Sequence, residues 1–225
     1  MEKERIILVT GLEAFGKTPI NPAEQVARAL NGMVINGHRI VAIIVPNTFF
    51  KSIEVVIEAI QKYNPEMVTM LGEYGGRSGI SVERISQNFN DSARYGLKDN
   101  KGKMLQGEPT ALGGPVAYYS TLPIRAMVKA MREAGIPADI SDTPGTNVCN
   151  HLMYGILHFI ASKTLPIRAG WIHLPFLPST AALEENLGAP SMSKETAVQG
   201  VTAAVKTAIE HPTDIRDTIL SRWQV

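Results

Sequence analysis

Five short apolar runs of strand type alternate with four amphipathic windows of helical type, and that alternation limits the chain to folds in which helices cover a largely parallel sheet. The strand runs are Ile6 to Thr10, Ile40 to Val45, Met67 to Leu71, Ala138 to Ser141 and Gly170 to Leu174. Between them, Thr48 to Tyr63 sets Phe49, Ile53, Val56, Ile57 and Ile60 on one helical stripe, and Leu122 to Ala134 gives a second helix closed by Gly135. Further helices are expected from Asn147 to Ala161, packing through Val148, Leu152, Ile156 and Ile160, and from Lys194 to Glu210, with Val198, Val201, Val205 and Ile209 on one face. The expectation is an α/β protein: a three-layer α/β/α sandwich with a largely parallel mixed sheet, in one domain over residues 1–225. With 44% hydrophobic and 19% charged residues and a mean hydropathy near zero, the chain can fill such a core. Residues 84–114 break the pattern: they are polar, rich in Asn and Gly and weakly periodic, as a long excursion or hairpin would be.

Composition excludes several partner classes. The 22 basic and 21 acidic residues are interspersed, which argues against nucleic acid or an anionic membrane as partner. No apolar run approaches the roughly 20 residues of a membrane helix, and Ile6 to Val9 is too short for a signal-peptide core, so a cytoplasmic protein is expected. A single cysteine, Cys149, cannot form an intrachain disulfide and implies neither a zinc cage nor a redox pair. The ordinary role of such a thiol is that of a small buried hydrophobe, unless its surroundings say otherwise.

In parallel α/β folds ligands bind outside the carboxyl ends of the strands, and several unusual segments fall there. The first strand empties into Thr10-Gly11-Leu12-Glu13-Ala14-Phe15-Gly16, followed by Asn21-Pro22 before a helix; the glycine spacing fits no nucleotide loop. Either this is a plain strand-to-helix turn, or Leu12 and Phe15 form an apolar lip over a small ligand. The third strand ends in Leu71-Gly72-Glu73-Tyr74-Gly75-Gly76-Arg77, where paired glycines permit close backbone approach. Glu83 interrupts the apolar alternation of Ile80, Val82 and Ile85, which reads as a solvated strand face unless the carboxylate has something to orient.

Cys149 follows Ser141-Asp142-Thr143-Pro144-Gly145-Thr146-Asn147-Val148, a turn leading into a helix with Thr146 or Asn147 as N-cap. The first helical turn favours thiolate over thiol, and its free amides can hold an oxyanion. Cys149 lies about 100° from the centre of the packing stripe, unlike a core filler. Among the five histidines, His38 and His211 sit in polar, surface-like contexts, and His151 is only two residues from Cys149, a poor position for a base. His173 closes a buried strand ahead of Pro175, at the edge where a site is expected, though a satisfied core histidine is the alternative.

These segments together, Gly-Leu-Glu-Ala-Phe-Gly with Asn21-Pro22, Gly75-Gly76-Arg77 to Glu83-Arg84, Gly145 to His151, and Ile172-His173-Leu174-Pro175, closely resemble the pyroglutamyl peptidase I family over about residues 5 to 210. The resemblance implies a phosphorylase/hydrolase-like α/β fold and a cysteine peptidase that needs no metal or cofactor and removes an N-terminal pyroglutamate (5-oxoproline) from peptides. It implies Cys149 as nucleophile, His173 as general base and acid, and Glu83 as the carboxylate orienting the imidazole. It also implies Phe15 as one wall of a slot for the lactam ring, Asn21 as a polar contact and Arg94 as an arginine near the site. A homo-oligomer, a tetramer by the same resemblance, is expected, with Met104 and Leu105 of the excursion as candidate interface residues.

The chain departs from the family pattern at Leu12, where an aromatic is usual, at Ala14, where proline is usual, and at Glu73, where glutamine is usual. Pro144 stands where a small residue is usual and stiffens the turn. Leu12 keeps the pocket apolar but removes a ring face worth about 1 kcal/mol. Glu73 puts an acid where an amide would donate to a substrate carbonyl, so it would repel that oxygen or bind it only when protonated. Leu12 and Glu73 motivate one other function, a related thiol amidase for another small cyclic or N-capped amide; a non-catalytic binding homologue that kept the fold is a third reading.

Overall fold

The computed structural model describes residues 4–16 and 18–221. Its strands are Arg5–Leu12 (β1), Val34–Ile35 (β2), His38–Val45 (β3), Met67–Glu73 (β4), Ile80–Glu83 (β5), Ile85–Gln87 (β6), Asn90–Asp91 (β7), Gln106–Glu108 (β8), Ala117–Tyr119 (β9), Ala138–Ser141 (β10) and Arg168–Leu174 (β11). Its helices are Pro22–Leu30 (α1), Lys51–Tyr63 (α2), Ile124–Glu133 (α3), Val148–Ser162 (α4), Pro178–Ala181 (α5) and Lys194–Glu210 (α6). The main sheet has seven strands in the order β10-β5-β11-β4-β1-β3-β2. Strands β3, β1, β4 and β11 are mutually parallel, β5 runs antiparallel to β11, and β10 is parallel to β5. The sheet is therefore mixed and largely parallel, as the alternation of elements predicts.

Strand periodicity sorts the core into two halves. Ile7 and Val9 of β1 join Ile172 and Leu174 of β11 in a cluster beneath α1, α3 and α6. Leu8 and Leu12 of β1 join Trp171 of β11 in a second cluster with residues of α2 and α4. Each fully buried Leu or Ile in these clusters contributes about 2 kcal/mol relative to exposure, so both faces of the sheet are anchored by their helices. This is the three-layer arrangement.

Differences from the expected elements have local causes. Strand β5, which the apolar alternation around Glu83 suggested only as a solvated strand face, is an inner strand of the main sheet, with its four residues Ile80–Glu83 all buried. Helix α2 starts at Lys51 rather than Thr48, since Phe50 takes a positive φ of 63° that no helix continues through. Helix α4 is buried nearly all round rather than along one stripe. The reason is the excursion together with β9 just beyond it, which fold back over α4 as two small antiparallel pairs, β6 with β9 and β7 with β8. Leu105 in that excursion is fully buried in the α2/α4 cluster, with Ala93 N donating to its carbonyl at 3.1 Å, so of the two apolar residues expected at an interface only Met104 is exposed. His38 is likewise buried rather than at the surface: its Nδ1 lies 3.0 Å from the Asn36 carbonyl and its Nε2 3.3 Å from Glu66.

Candidate active site

The site begins with the alternation of β11. Ala169, Trp171 and His173 share the face toward α2 and α4, so His173 reaches that layer from the carboxyl end of its strand. Across the antiparallel pair Glu83 lies opposite Trp171, which makes it the diagonal neighbour of His173 on the same face. Its Oε1 stands 2.7 Å from His173 Nδ1, and both residues are almost fully buried, at 0% and 1% exposure. The solvated-face reading of Glu83 is thus corrected: a buried carboxylate needs partners, and it has two. The second is Arg77, whose Nη1 donates to the same oxygen at 3.0 Å. Arg77 also stacks over Tyr74, 3.8 Å from the ring centroid, and Tyr74 packs edge-on against His173.

This arrangement fixes the imidazole. A carboxylate only accepts, so Nδ1 carries the proton and Nε2 keeps its lone pair, with no hydrogen-bond partner among the described residues. Burial holds His173 below the usual histidine range; Glu83 opposes that shift and the Arg77 charge adds to it. The resting ring is a neutral base.

Cys149 is the second residue of α4. The chain turns toward the helix at Gly145, whose φ of +85° suits a residue without Cβ, and Gly145 N donates to Thr143 Oγ1 at 3.1 Å. Asn147 is the N-cap, in extended conformation, but its side chain makes no capping bond, leaving the first-turn amides to face whatever occupies the site. Asn150, directly after Cys149, locks the helix start to the excursion: Gln87 N donates to its Oδ1 at 2.8 Å, and its Nδ2 donates to the carbonyls of Gln87 and Phe89, both at 2.9 Å. Burial, with the carboxylates of Glu83 and Glu73 added, pushes the Cys149 thiol up to about 12, against a smaller downward pull from its own backbone N–H. The expected thiolate at the helix end is therefore corrected. Desolvation and two nearby acids hold the proton on sulfur against that single backbone N–H, although Cys149 is only half-buried at the cavity.

Cys149 and His173 line one cavity of about 240 Å³. Leu12 and Phe15 supply apolar wall, as their sequence position suggested, and Pro144 lines it too. Phe49, assigned from periodicity to a helical packing stripe, instead precedes α2 and lines the cavity as well. Asn21 also lines it, but its side chain is committed to the fold: Oδ1 caps α1 by accepting from Ala23 N at 2.9 Å, and Nδ2 donates to the Glu13 carbonyl at 3.1 Å. Arg94 is not among the lining residues; its guanidinium lies over the Tyr95 ring, 5.0 Å from the centroid. Glu73 is in the wall with 8% exposure, its Oε2 lacks a partner among the described residues, and burial raises it to about 7. Of the paired glycines after it only Gly75 serves close approach, since a Cβ there would come within 2.1 Å of the Phe176 ring, whereas Gly76 faces open space and takes a φ of +86°.

Arg77, Asn150 and Phe49 are the residues that sequence reasoning left without a role at the site. A buried Glu83 demands a cation nearby, so Arg77 was discoverable only once that burial was known. Among the described residues no group of three or more His, Cys, Asp or Glu side chains is placed to hold a metal ion. What remains is a thiol, a neutral imidazole with a free Nε2, an orienting carboxylate and free helix amides around an apolar cavity, the equipment for acyl transfer through sulfur.

Comparison with known proteins agrees with that chemistry. The profile of the family described as Pyroglutamyl peptidase matches residues 5–211. The pyrrolidone-carboxylate peptidase of Mycobacterium tuberculosis is 59% identical over 219 residues, covering 97% of this chain and 99% of the relative. That of Bacillus cytotoxicus is 43% identical over 211 residues, covering 94% and 96%. The crystal structure of pyroglutamyl peptidase I from Bacillus amyloliquefaciens superposes with a TM-score of 0.91 at 38% identity, covering 96% of this chain and all of that one.

Proposed function

The chain belongs to the pyroglutamyl peptidase family, and on that premise we propose that it removes an N-terminal pyroglutamyl residue from peptides, with Cys149 as nucleophile, His173 as base and acid, and Glu83 as the orienting carboxylate. The observation that carries the residue roles is the 2.7 Å contact from His173 Nδ1 to Glu83, which leaves Nε2 unpartnered at the cavity that Cys149 also lines.

The reaction starts from a neutral pair. His173 Nε2 takes the Cys149 proton as Sγ bonds to the carbonyl carbon that joins pyroglutamate to the next residue. The carbonyl electrons move onto oxygen, where amides of the first turn of α4 hold the negative charge. Those electrons then re-form the carbonyl, the C–N bond breaks, and the leaving amine takes the proton from His173. A thioester remains. Water gives a proton to the same Nε2 and attacks, the C–S bond breaks, and the proton returns to sulfur as free pyroglutamate departs. Glu83 stabilises the imidazolium in both halves, and Arg77 keeps Glu83 in place.

The wall of Leu12, Phe15 and Phe49 suits the flat, largely apolar lactam ring. The enzyme works in the cytoplasm, where a reducing environment keeps a lone catalytic thiol available, and no described helix is long and apolar enough to cross a membrane. It assembles as a homotetramer through the end of the excursion and the segment that follows, where Leu112, Val116 and Tyr119 are exposed to solvent in the single chain. Incubation with a pyroglutamyl dipeptide, followed by mass spectrometry, tests the function: free pyroglutamate and the shortened product appear. Turnover confined to other N-capped amides would move the assignment to a different thiol amidase, the reading that Glu73 in the cavity wall favours.

A further inference from the structure

His151 is a buried titratable group that this reaction does not use. It stands two residues beyond Cys149 on α4, so its ring leaves the helix on another face. Both ring nitrogens are engaged: Phe50 N donates to Nε2 at 2.9 Å, and Nδ1 lies 3.1 Å from Thr110 Oγ1. An accepting Nε2 requires the neutral ring with its proton on Nδ1, directed at the threonine hydroxyl. Burial, aided by the Lys103 charge, pushes the ring down to about 4 and keeps it in that form.

The two partners belong to different parts of the chain. Thr110 lies just beyond β8 in the excursion, where Asn90 Nδ2 donates to its Oγ1 at 2.9 Å. Phe50 is the residue ahead of α2, with a φ of 63° and ψ of −51°, a backbone state that phenylalanine keeps only when its surroundings hold it there. Its neighbour Phe49 is a wall of the cavity and meets the His151 ring edge-on at 5.2 Å, as the Phe50 ring does at 4.7 Å. Phe49 is fastened from the other side by its own N–H, which donates to Asp99 Oδ2 at 3.0 Å.

We infer that His151 is a positioning residue for the substrate: by holding the strained Phe50 backbone it fixes the Phe49 wall to the helix that carries the nucleophile, and so sets affinity for the pyroglutamyl ring rather than the chemistry at sulfur. This rests on the proposed function. A residue acting in this way moves KM and leaves the reactivity of Cys149 unchanged, whereas one serving only the stability of the fold moves neither in the folded enzyme.

The test compares wild type, His151→Leu and His151→Gln on a pyroglutamyl amide, using protein shown to be folded by circular dichroism, with the rate of Cys149 alkylation by iodoacetamide as a separate readout. Leucine removes both ring nitrogens, while glutamine keeps an acceptor for the Phe50 N–H. In His151→Leu, KM rises about tenfold through the unmade hydrogen bond, and kcat and the alkylation rate stay within about threefold of wild type. His151→Gln recovers most of the KM. An unchanged KM in His151→Leu overturns the inference, as does a kcat that falls together with the alkylation rate. Should the leucine variant fail to fold, Thr110→Val removes the Nδ1 partner, along with the bond from Asn90, and leaves the His151 ring in place: a raised KM at unchanged kcat supports the role and an unchanged KM overturns it. A wild type inactive on the amide would overturn the proposed function and this assignment with it, and it is told apart because no variant is needed to see it.

Discussion

Glu83 and His173 lie on antiparallel neighbouring strands, and the register that places Glu83 opposite Trp171 brings its Oε1 to 2.7 Å from His173 Nδ1. The orientation of the base is thus a property of the sheet, not of a loop. Glu83→Gln keeps the volume but removes the charge that stabilises imidazolium, so kcat falls by about 100-fold while the far-ultraviolet circular dichroism is retained. A variant within a few-fold of wild type would show that Glu83 does not act through the imidazole.

Arg77 acts one step further out. Its charge lowers His173, so Arg77→Met lets His173 take up a proton at higher pH, and the acid limb of the kcat/KM profile moves upward. The same change leaves Glu83 buried without its cation and costs about 3 kcal/mol in urea unfolding. An acid limb that stays in place would remove Arg77 from the account of the base.

Glu73 gives the cavity its own pH dependence. Its carboxyl is raised to about 7, so it is mostly protonated in mild acid and ionises as pH rises through neutrality. The charged form repels substrate carbonyl oxygens, and KM for a pyroglutamyl amide should rise by about tenfold between pH 6 and 8.5. Glu73→Gln should flatten that rise. The same KM slope in both proteins would place Glu73 outside substrate binding.

Acid should weaken the fold through His151. The folded ring titrates at about 4 against an ordinary 6.5, so between these values the unfolded chain binds a proton that the folded one refuses. The stability it contributes is complete above about pH 6.5 and is lost as pH falls toward 4, by about 3 kcal/mol. Urea unfolding over this range should give a shallower pH slope for His151→Gln than for wild type. Equal slopes would assign the acid sensitivity to other groups, of which His173, also held low by burial, is the first to examine.

The layers and the place of Cys149 at a helix start were legible in the sequence because each is written locally. Strand and helix periods are short-range, α6 matches its expected bounds from Lys194 to Glu210, and a lone cysteine behind a turn and a cap announces a helix start. What was not legible depends on contacts between distant residues. Nothing near Glu83 reveals that β5 runs against β11, and without that pairing its carboxylate looks solvated. The all-round burial of α4 comes from an excursion whose weak pattern gives no hint of where it lies, and Asn150 takes its partners, and His151 one of its two, from it. The expected thiolate failed for a related reason: the helix end is visible in sequence, whereas Glu73 and Glu83 converge on Cys149 only in the fold.

The most direct test of the central claim is hydrolysis of a pyroglutamyl amide with a fluorescent leaving group by wild type and Cys149→Ser, each with and without prior iodoacetamide treatment. The account predicts steady turnover by wild type, at least about 100-fold less by the serine variant, and loss of wild-type activity on alkylation. Comparable turnover by Cys149→Ser, or wild-type activity that survives complete alkylation of Cys149, would contradict it.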